Sequence, residues 1–255
     1  MSAPEPCNVL LSGAWNPIAA EPATALAERR RRLCESIAYY AQLGIARRIV
    51  LADATLTDAD RAALHTEFPA LELPELRTSP HGTHSGPSYL EALVYGAAAE
   101  AGVVAPDGQR WIKVTGGYRI TNLRAILDVA ATADAAGLCF LHQHPLRPRA
   151  RFAMSSFYVL DGALLDCFLR FAGDDAERAR HEPLEGFLCD FFVTRGRRRI
   201  RSPYPRVHAY YATAGLRSDS LRLLPHTLAW GALSRLGLYA WCLRRDARDQ
   251  STAAS

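Results

Sequence analysis

The sequence predicts an α/β fold: a mostly parallel sheet flanked by helices, with a helical C-terminal portion. Three observations carry that prediction. Short apolar runs that read as strands (Asn8–Ser12, Arg48–Ala52, Leu71–Leu76) alternate with segments of helical periodicity. A further strand-like run, Trp111–Thr115, ends on Gly116-Gly117 and leads into another helical segment. The hydrophobic share of 49% over 255 residues, with 22% charged, belongs to one large folded domain and not to a disordered chain.

Asn8–Ser12 leads into a loop over Gly13–Pro17. Ala23–Leu43 has Leu26, Leu33, Ile37 and Ala41 on one helical stripe, and Gly44 ends it. Arg48–Ala52 is the second strand, with Asp53 at its carboxyl end. Thr57 caps a short helix to about His65, and Leu71–Leu76 is a weaker third strand. This βαβαβ order implies parallel pairing with helices on both faces. Ligands of such sheets lie at the carboxyl ends of the strands, which gathers Gly13–Asn16, Asp53 and Gly116–Arg119 around one crevice.

Thr78–Ser88 is rich in turn formers and precedes a helix over Tyr89–Ala101. After Trp111–Thr115 the glycine pair suits a tight turn with positive φ. Tyr118-Arg119-Ile120 is extended, and Thr121 or Asn122 caps a helix whose apolar residues are Ile126, Val129 and Ala130. Gly137–His142 is a further strand, Arg147-Pro148-Arg149 a linker, and Phe152–Val159 extended. Helices are predicted at Asp161–Arg170 and Leu184–Val193. The apolar stretch Thr227–Leu243, followed by Arg244, Arg245 and Arg248, reads in two ways: a helix in a membrane interface, or one closing the core.

The net charge of +4 is mild, but arginines cluster in Arg29–Arg32 and, six of them, in Arg195–Arg206. Such clusters fit phosphates, an anionic membrane or nucleic acid, and the first also reads as a solvated helix face. Of the 30 lysines and arginines, Lys113 alone is lysine. A lone lysine suggests that a compact ammonium is wanted there; the plainer reading is a lysine snorkelling from a strand end. Six scattered cysteines without a CxxC imply buried thiols in a reducing compartment. With no leader and no apolar run of the ~18 residues a span needs, the expected location is cytoplasmic, with a peripheral membrane position open.

No GxxxxGK[ST], GxGxxG, HExxH or GxSxG occurs. His142 and His144, or His81 and His84, are pairs without a third ligand. Asp58-Ala59-Asp60 sits at a surface helix start, where acids complement the dipole. The central strand has no Asp-x-Asp, so no metal or other cofactor is expected; Lys113 and Arg119 would neutralise a diphosphate instead. For acid–base work Glu185, then Glu182, stand in the first turn of a predicted helix, where a carboxylate is held rigidly or simply complements the dipole.

Taken together, Lys113-Val114-Thr115-Gly116-Gly117-Tyr118-Arg119-Ile120-Thr121-Asn122 resembles the central motif of bacterial surface-polysaccharide glycosyltransferases, Lys-x-Thr-Gly-Arg-Tyr followed by Asn. Gly86–Glu91 resembles that family's Gly-Lys-x-x-x-Glu, Arg151-Phe152 its Thr-Arg-Phe-Phe region, and Leu184-Glu185 its acid-bearing helix. The motif arginine is Gly117 here and the second motif's lysine is Pro87. The resemblance spans most of the first 220 residues and implies a GT-A-like domain, taken over residues 1–225; the apolar stretch makes residues 226–255 a C-terminal amphipathic helix and tail. It implies metal-independent transfer of a sugar from a nucleotide diphosphate donor to a glycan or lipid-linked glycan acceptor, with no nucleic-acid partner. On that reading Asn16, Asp53, Lys113, Thr115, Gly116, Gly117, Tyr118, Arg119 and Asn122 bind the donor. Glu185 is the base, and Glu91 and Glu182 are further site candidates.

Overall fold

The computed structural model describes residues 6–16, 22–78, 87–131, 137–144 and 147–181, with residues 184, 186, 191, 205, 207–208, 210–211 and 216–217 beyond them. Strands β1 (Cys7–Ser12), β2 (Ala46–Ala52), β3 (Leu71–Glu72) and β4 (Arg110–Thr115) alternate with helices α1 (Ala23–Gln42), α2 (Asp58–Glu67) and α3 (Pro87–Glu100). Then follow β5 (Arg119–Ile120), α4 (Leu123–Ala131), β6 (Gly137–His144), β7 (Arg147–Asp161) and α5 (Gly162–Asp174). The short strands β8 (Val207–His208), β9 (Tyr210–Tyr211) and β10 (Leu216–Arg217) come last.

The central sheet has the order β3-β2-β1-β4-β7-β6. Strands β3, β2, β1 and β4 are mutually parallel, and β7 runs antiparallel between β4 and β6. The predicted α/β architecture, a mostly parallel sheet between helices, is the one observed. Two elements differ. The expected strand Leu71–Leu76 pairs only over Leu71–Glu72. Arg147-Pro148-Arg149, expected as a linker, opens the 15-residue β7, and Arg147 lies opposite His144. Two residues separate β6 from β7, so the chain folds straight back as a hairpin, which period-2 patterning in each half does not reveal.

Alternation along the strands divides the core in two. Val9, Leu11, Ile49, Leu51, Ile112 and Val114 pack against Leu33, Ile37 and Tyr40 of α1, Leu64 of α2 and Leu123, Ile126 and Leu127 of α4. Leu10, Val50, Ala52, Trp111, Tyr158 and Leu160 face Tyr89, Ala92, Tyr95 and Ala98 of α3 and Leu165, Phe168 and Leu169 of α5. Helices α3 and α5 cross at Gly96 and Gly173: a Cβ on Gly96 would lie 2.9 Å from Gly173 Cα, and one on Gly173 closer still to Gly96. The predicted Thr57 cap forms, as a full capping box with Asp60. Asp161 caps α5 through the Leu164 N–H, and the Asn122 carbonyl accepts from Ile126 N–H at the start of α4.

Among the described residues no helix is long and apolar enough to cross a membrane. The Thr227–Leu243 stretch and the proposed division at residue 225 lie outside the described residues, as do His81 and His84.

Candidate functional site

From β1 the chain moves outward to β2 and β3, then returns to β4 on β1's other side, so the winding reverses between β1 and β4. A crevice opens at the carboxyl ends of strands at such a point. There Ser12 lies between Ala52 and Thr115 in register. The loops that follow are joined backbone to backbone: Gly13 N–H donates to Ala52 O at 3.2 Å, and Gly116 N–H donates to Ser12 O. This contact requires glycine at 116, where a Cβ would meet Ser12 O and Leu33 Cδ1 at 2.9 Å each. Gly117 has φ +81°, a left-handed turn that an arginine would enter only under strain.

The Gly13–Asn16 loop is fastened by the β2–α2 connection. Asp53, fully buried, accepts from Trp15 N–H at 2.6 Å on one oxygen and from Thr55 N–H and Oγ1–H at 2.7 and 2.6 Å on the other. Burial pushes its carboxyl above the ordinary range while these bonds pull it down. Asp60 accepts from Trp15 Nε1 (2.9 Å) and Asn16 Nδ2 (2.8 Å) while completing the Thr57 capping box. Burial raises its pKa, but the bonds from Thr57, Asn16 and Trp15 outweigh it and hold the group at about 2. Arg30 reaches over from α1, donating to Asn16 Oδ1 and standing 5.1 Å above the Trp15 ring.

Helix α1 clamps the strand after the glycine turn. Ser36 Oγ and Tyr40 Oη donate to Tyr118 O at 2.8 and 3.1 Å, and Tyr39 Oη donates to Ile120 O at 2.9 Å. Arg119 is placed beside His208 Nδ1 (2.8 Å) and Glu35 Oε2 (3.8 Å), while β8 pairs with β5.

Lys113 goes to the other face. Its side chain is fully buried, so it does not snorkel. Nζ lies 3.1 Å from Glu91 Oε1 and 3.1 Å from Thr115 Oγ1, and 5.2 and 5.5 Å from the Tyr95 and Tyr158 ring centres. A compact ammonium fits among two tyrosine rings and one carboxylate, and this explains lysine where every other cation is arginine. Lys113 and Arg119, expected to meet a diphosphate together, have different surroundings. Lys113 is buried under α3 and pairs with Glu91, while Arg119, in the separate β5–β8 pair, stands by Glu35 of α1.

The structure thus brings together Lys113, Thr115 and Glu91, and separately Asn16 with Asp53, and Gly116, Gly117, Tyr118 and Arg119 with α1. Asn122 sits at the start of α4, half-buried. Glu182 and Glu185 lie outside the described residues. The neighbouring Leu184 is buried, and its N–H donates to Ser88 Oγ at 3.3 Å, at the same end of α3 as Glu91. Thr55, Arg30 and Asp60 escaped the sequence reading as parts of the site. Only the Thr57-x-x-Asp60 capping spacing signalled any of them, and it marked a helix start; Asp60 is half-buried against the loop as well. Among the described residues no group of three or more His, Cys, Asp or Glu is placed to hold a metal ion.

Neither a protein-family model nor a curated protein matches the sequence. Among solved structures the chain is similar to a 4-diphosphocytidyl-2C-methyl-D-erythritol synthase, at 14% identity and TM-score 0.39, over 74% of this chain and 100% of that one. It is likewise similar to the same synthase from Anaerococcus prevotii DSM 20548, at 10% identity and TM-score 0.42, over 88% of this chain and 98% of that one. Likeness at this level says nothing about the reaction.

Proposed function

We propose that the protein is a transferase that binds a nucleotide diphosphate sugar at the β1–β4 crevice and passes the sugar to a glycan or lipid-linked glycan acceptor. The observation that carries the reading is the pair of joined loops at the winding reversal, Ser12–Asn16 and Thr115–Arg119. They offer glycine backbone and fixed polar groups where sheets of this kind take their ligands. In this reading Asn16, Gly116, Gly117, Tyr118 and Arg119 line the donor, and Asp53 shapes the loop from beneath. Lys113 works through Glu91 and Thr115. Glu185 deprotonates the acceptor hydroxyl, supported by the anchoring of Leu184 at the start of α3. The diphosphate charge is met by arginine without a metal ion. An anionic membrane surface is the proposed docking place.

Thermal shift with UDP-glucose, UDP-N-acetylglucosamine and GDP-mannose tests donor binding. Ligand at about 100 times Kd adds about 2.7 kcal/mol to stability. A flat response to every sugar nucleotide overturns the reading. Calorimetry repeated in EDTA tests metal independence, which a tenfold loss restored by magnesium or manganese would refute. Glu185→Gln is expected to leave donor affinity intact and cut turnover by about 10²–10⁴.

A second reading, a nucleotide-sugar binder without turnover, is favoured by one feature. Gly117 stands where the resembling motif has arginine, and Arg119 is already engaged by His208 and Glu35. Release of free nucleotide diphosphate from bound donor separates the two.

A further inference from the structure

We infer that Glu91 recognises a ligand hydroxyl, ribose or sugar, at the crevice, with its Oε2 as the acceptor; this rests on the nucleotide-sugar reading above. Three donors converge on Oε1: Lys113 Nζ at 3.1 Å, Ser12 Oγ at 3.3 Å and Tyr95 Oη. They come from three elements, β4, β1 and α3, so turning the carboxylate breaks contacts on all three at once. Burial, and after it the Glu91 charge, pushes the Tyr95 hydroxyl well above its ordinary value, so it stays protonated and donates.

Oε2 is different. It has no partner among the described residues, and the Glu91 side chain keeps 25% of its surface exposed. Glu91 is bonded to Ser12, and through Lys113 to Thr115, the two residues that end β1 and β4 at the crevice. A carboxylate oriented so firmly on one oxygen and open on the other is an acceptor awaiting a donor.

The charge balance narrows the ligand group. Lys113 and Glu91 cancel, so the pair gives a diphosphate no net attraction, and the open oxygen repels phosphate. A nucleotide sugar carries hydroxyl donors on the ribose and on the sugar, and a hydrogen bond from either to an ionised carboxylate is of the stronger kind. The two sources share one chemistry, and the test separates them.

Calorimetry on the full chain compares UDP and GDP with their 2′-deoxy forms, and UDP-glucose and GDP-mannose with UDP and GDP. The variants are Glu91→Gln and the doubly neutral Glu91→Gln/Lys113→Met, the second because Lys113 left buried and unpaired can unfold the first. Wild type is expected to prefer the hydroxyl-bearing ligand by tenfold or more in one arm: the deoxy arm if ribose is read, the sugar arm if the sugar is. In the folded variant that preference falls below twofold while affinity for the partner lacking the hydroxyl is unchanged. A variant that keeps the preference, or that weakens all ligands equally, overturns the inference, as does a wild type that binds with no preference in either arm. A wild type that binds none of these nucleotides overturns the underlying reading, and the inference with it.

Discussion

Two polar clusters flank the same strand ends, and they are built on opposite terms. Under α3, Lys113 is fully buried and donates to Glu91 Oε1 and Thr115 Oγ1, while Glu91 keeps a quarter of its side chain exposed. Over α1, Arg31 pairs with Glu28 and Glu35, and Arg32 with Glu28, at the rim, with side chains 24–55% exposed. The charges are of the same kind, but the lysine of one set is shut off from water, whereas every charge of the other set is within its reach. The buried pair fixes geometry and is costly to break, whereas the rim pairs contribute little to stability and leave their arginines available to a ligand. Lys113 stands out in the sequence by its rarity, and in the fold that rarity goes with burial.

Breaking the buried pair gives the largest expected effect. Lys113→Ala should cost about 3–5 kcal/mol in urea unfolding, because Glu91 Oε1 loses its counter-charge in a buried place. Lys113→Met/Glu91→Gln should cost clearly less than Lys113→Ala alone. A double variant as unstable as the single one would show that packing, and not charge, sets the penalty.

Next comes the seam between the loops. Gly116→Ala drives a methyl to within 2.9 Å of the Ser12 carbonyl, a backbone atom with nowhere to go. A loss of about 1–3 kcal/mol is expected, together with weakened donor binding. Unchanged stability would mean that the Ser12–Gly116 contact is not a fixed part of the crevice.

A smaller effect is carried by pH. Asp60 is held at about 2 in the folded protein against an ordinary carboxyl near 4. A depressed carboxyl stabilises the fold above the unfolded value and ceases to do so as pH falls through the folded one, so its contribution should disappear between about pH 4 and 2. Asp60→Asn should flatten the acid limb of the melting temperature in that window. An unaltered limb would remove Asp60 from the loop's support. At the rim, Arg31→Ala should leave the urea midpoint unmoved; a clear shift would contradict the contrast drawn between the two clusters.

The sheet was legible because its strands carry unbroken apolar runs and its helices carry clear stripes and caps: Thr57, Asp161 and Gly44 each mark a boundary that the chain observes. The long β7 was not, because arginine and proline at its start resemble a linker until β6 is beside them. In the site, sequence order placed Gly13–Asn16, Asp53 and Gly116–Arg119 at the strand ends. What it lacked was the side of the sheet. Lys113 and Arg119 are six residues apart, yet Lys113 is buried under α3 and Arg119 stands half-buried beside α1. The hydroxyl clamp from Ser36, Tyr39 and Tyr40 was equally invisible, since it joins residues about eighty positions apart whose partners are carbonyls and not side chains.

The crossing of α3 and α5 at Gly96 and Gly173 has a mechanical consequence. Gly96 follows Tyr95 and lies five residues from Glu91, so the crossing acts as the pivot that sets how deep α3 seats. A side chain on either glycine would lift the helix and draw the Glu91 carboxylate away from Lys113, although neither glycine touches the crevice.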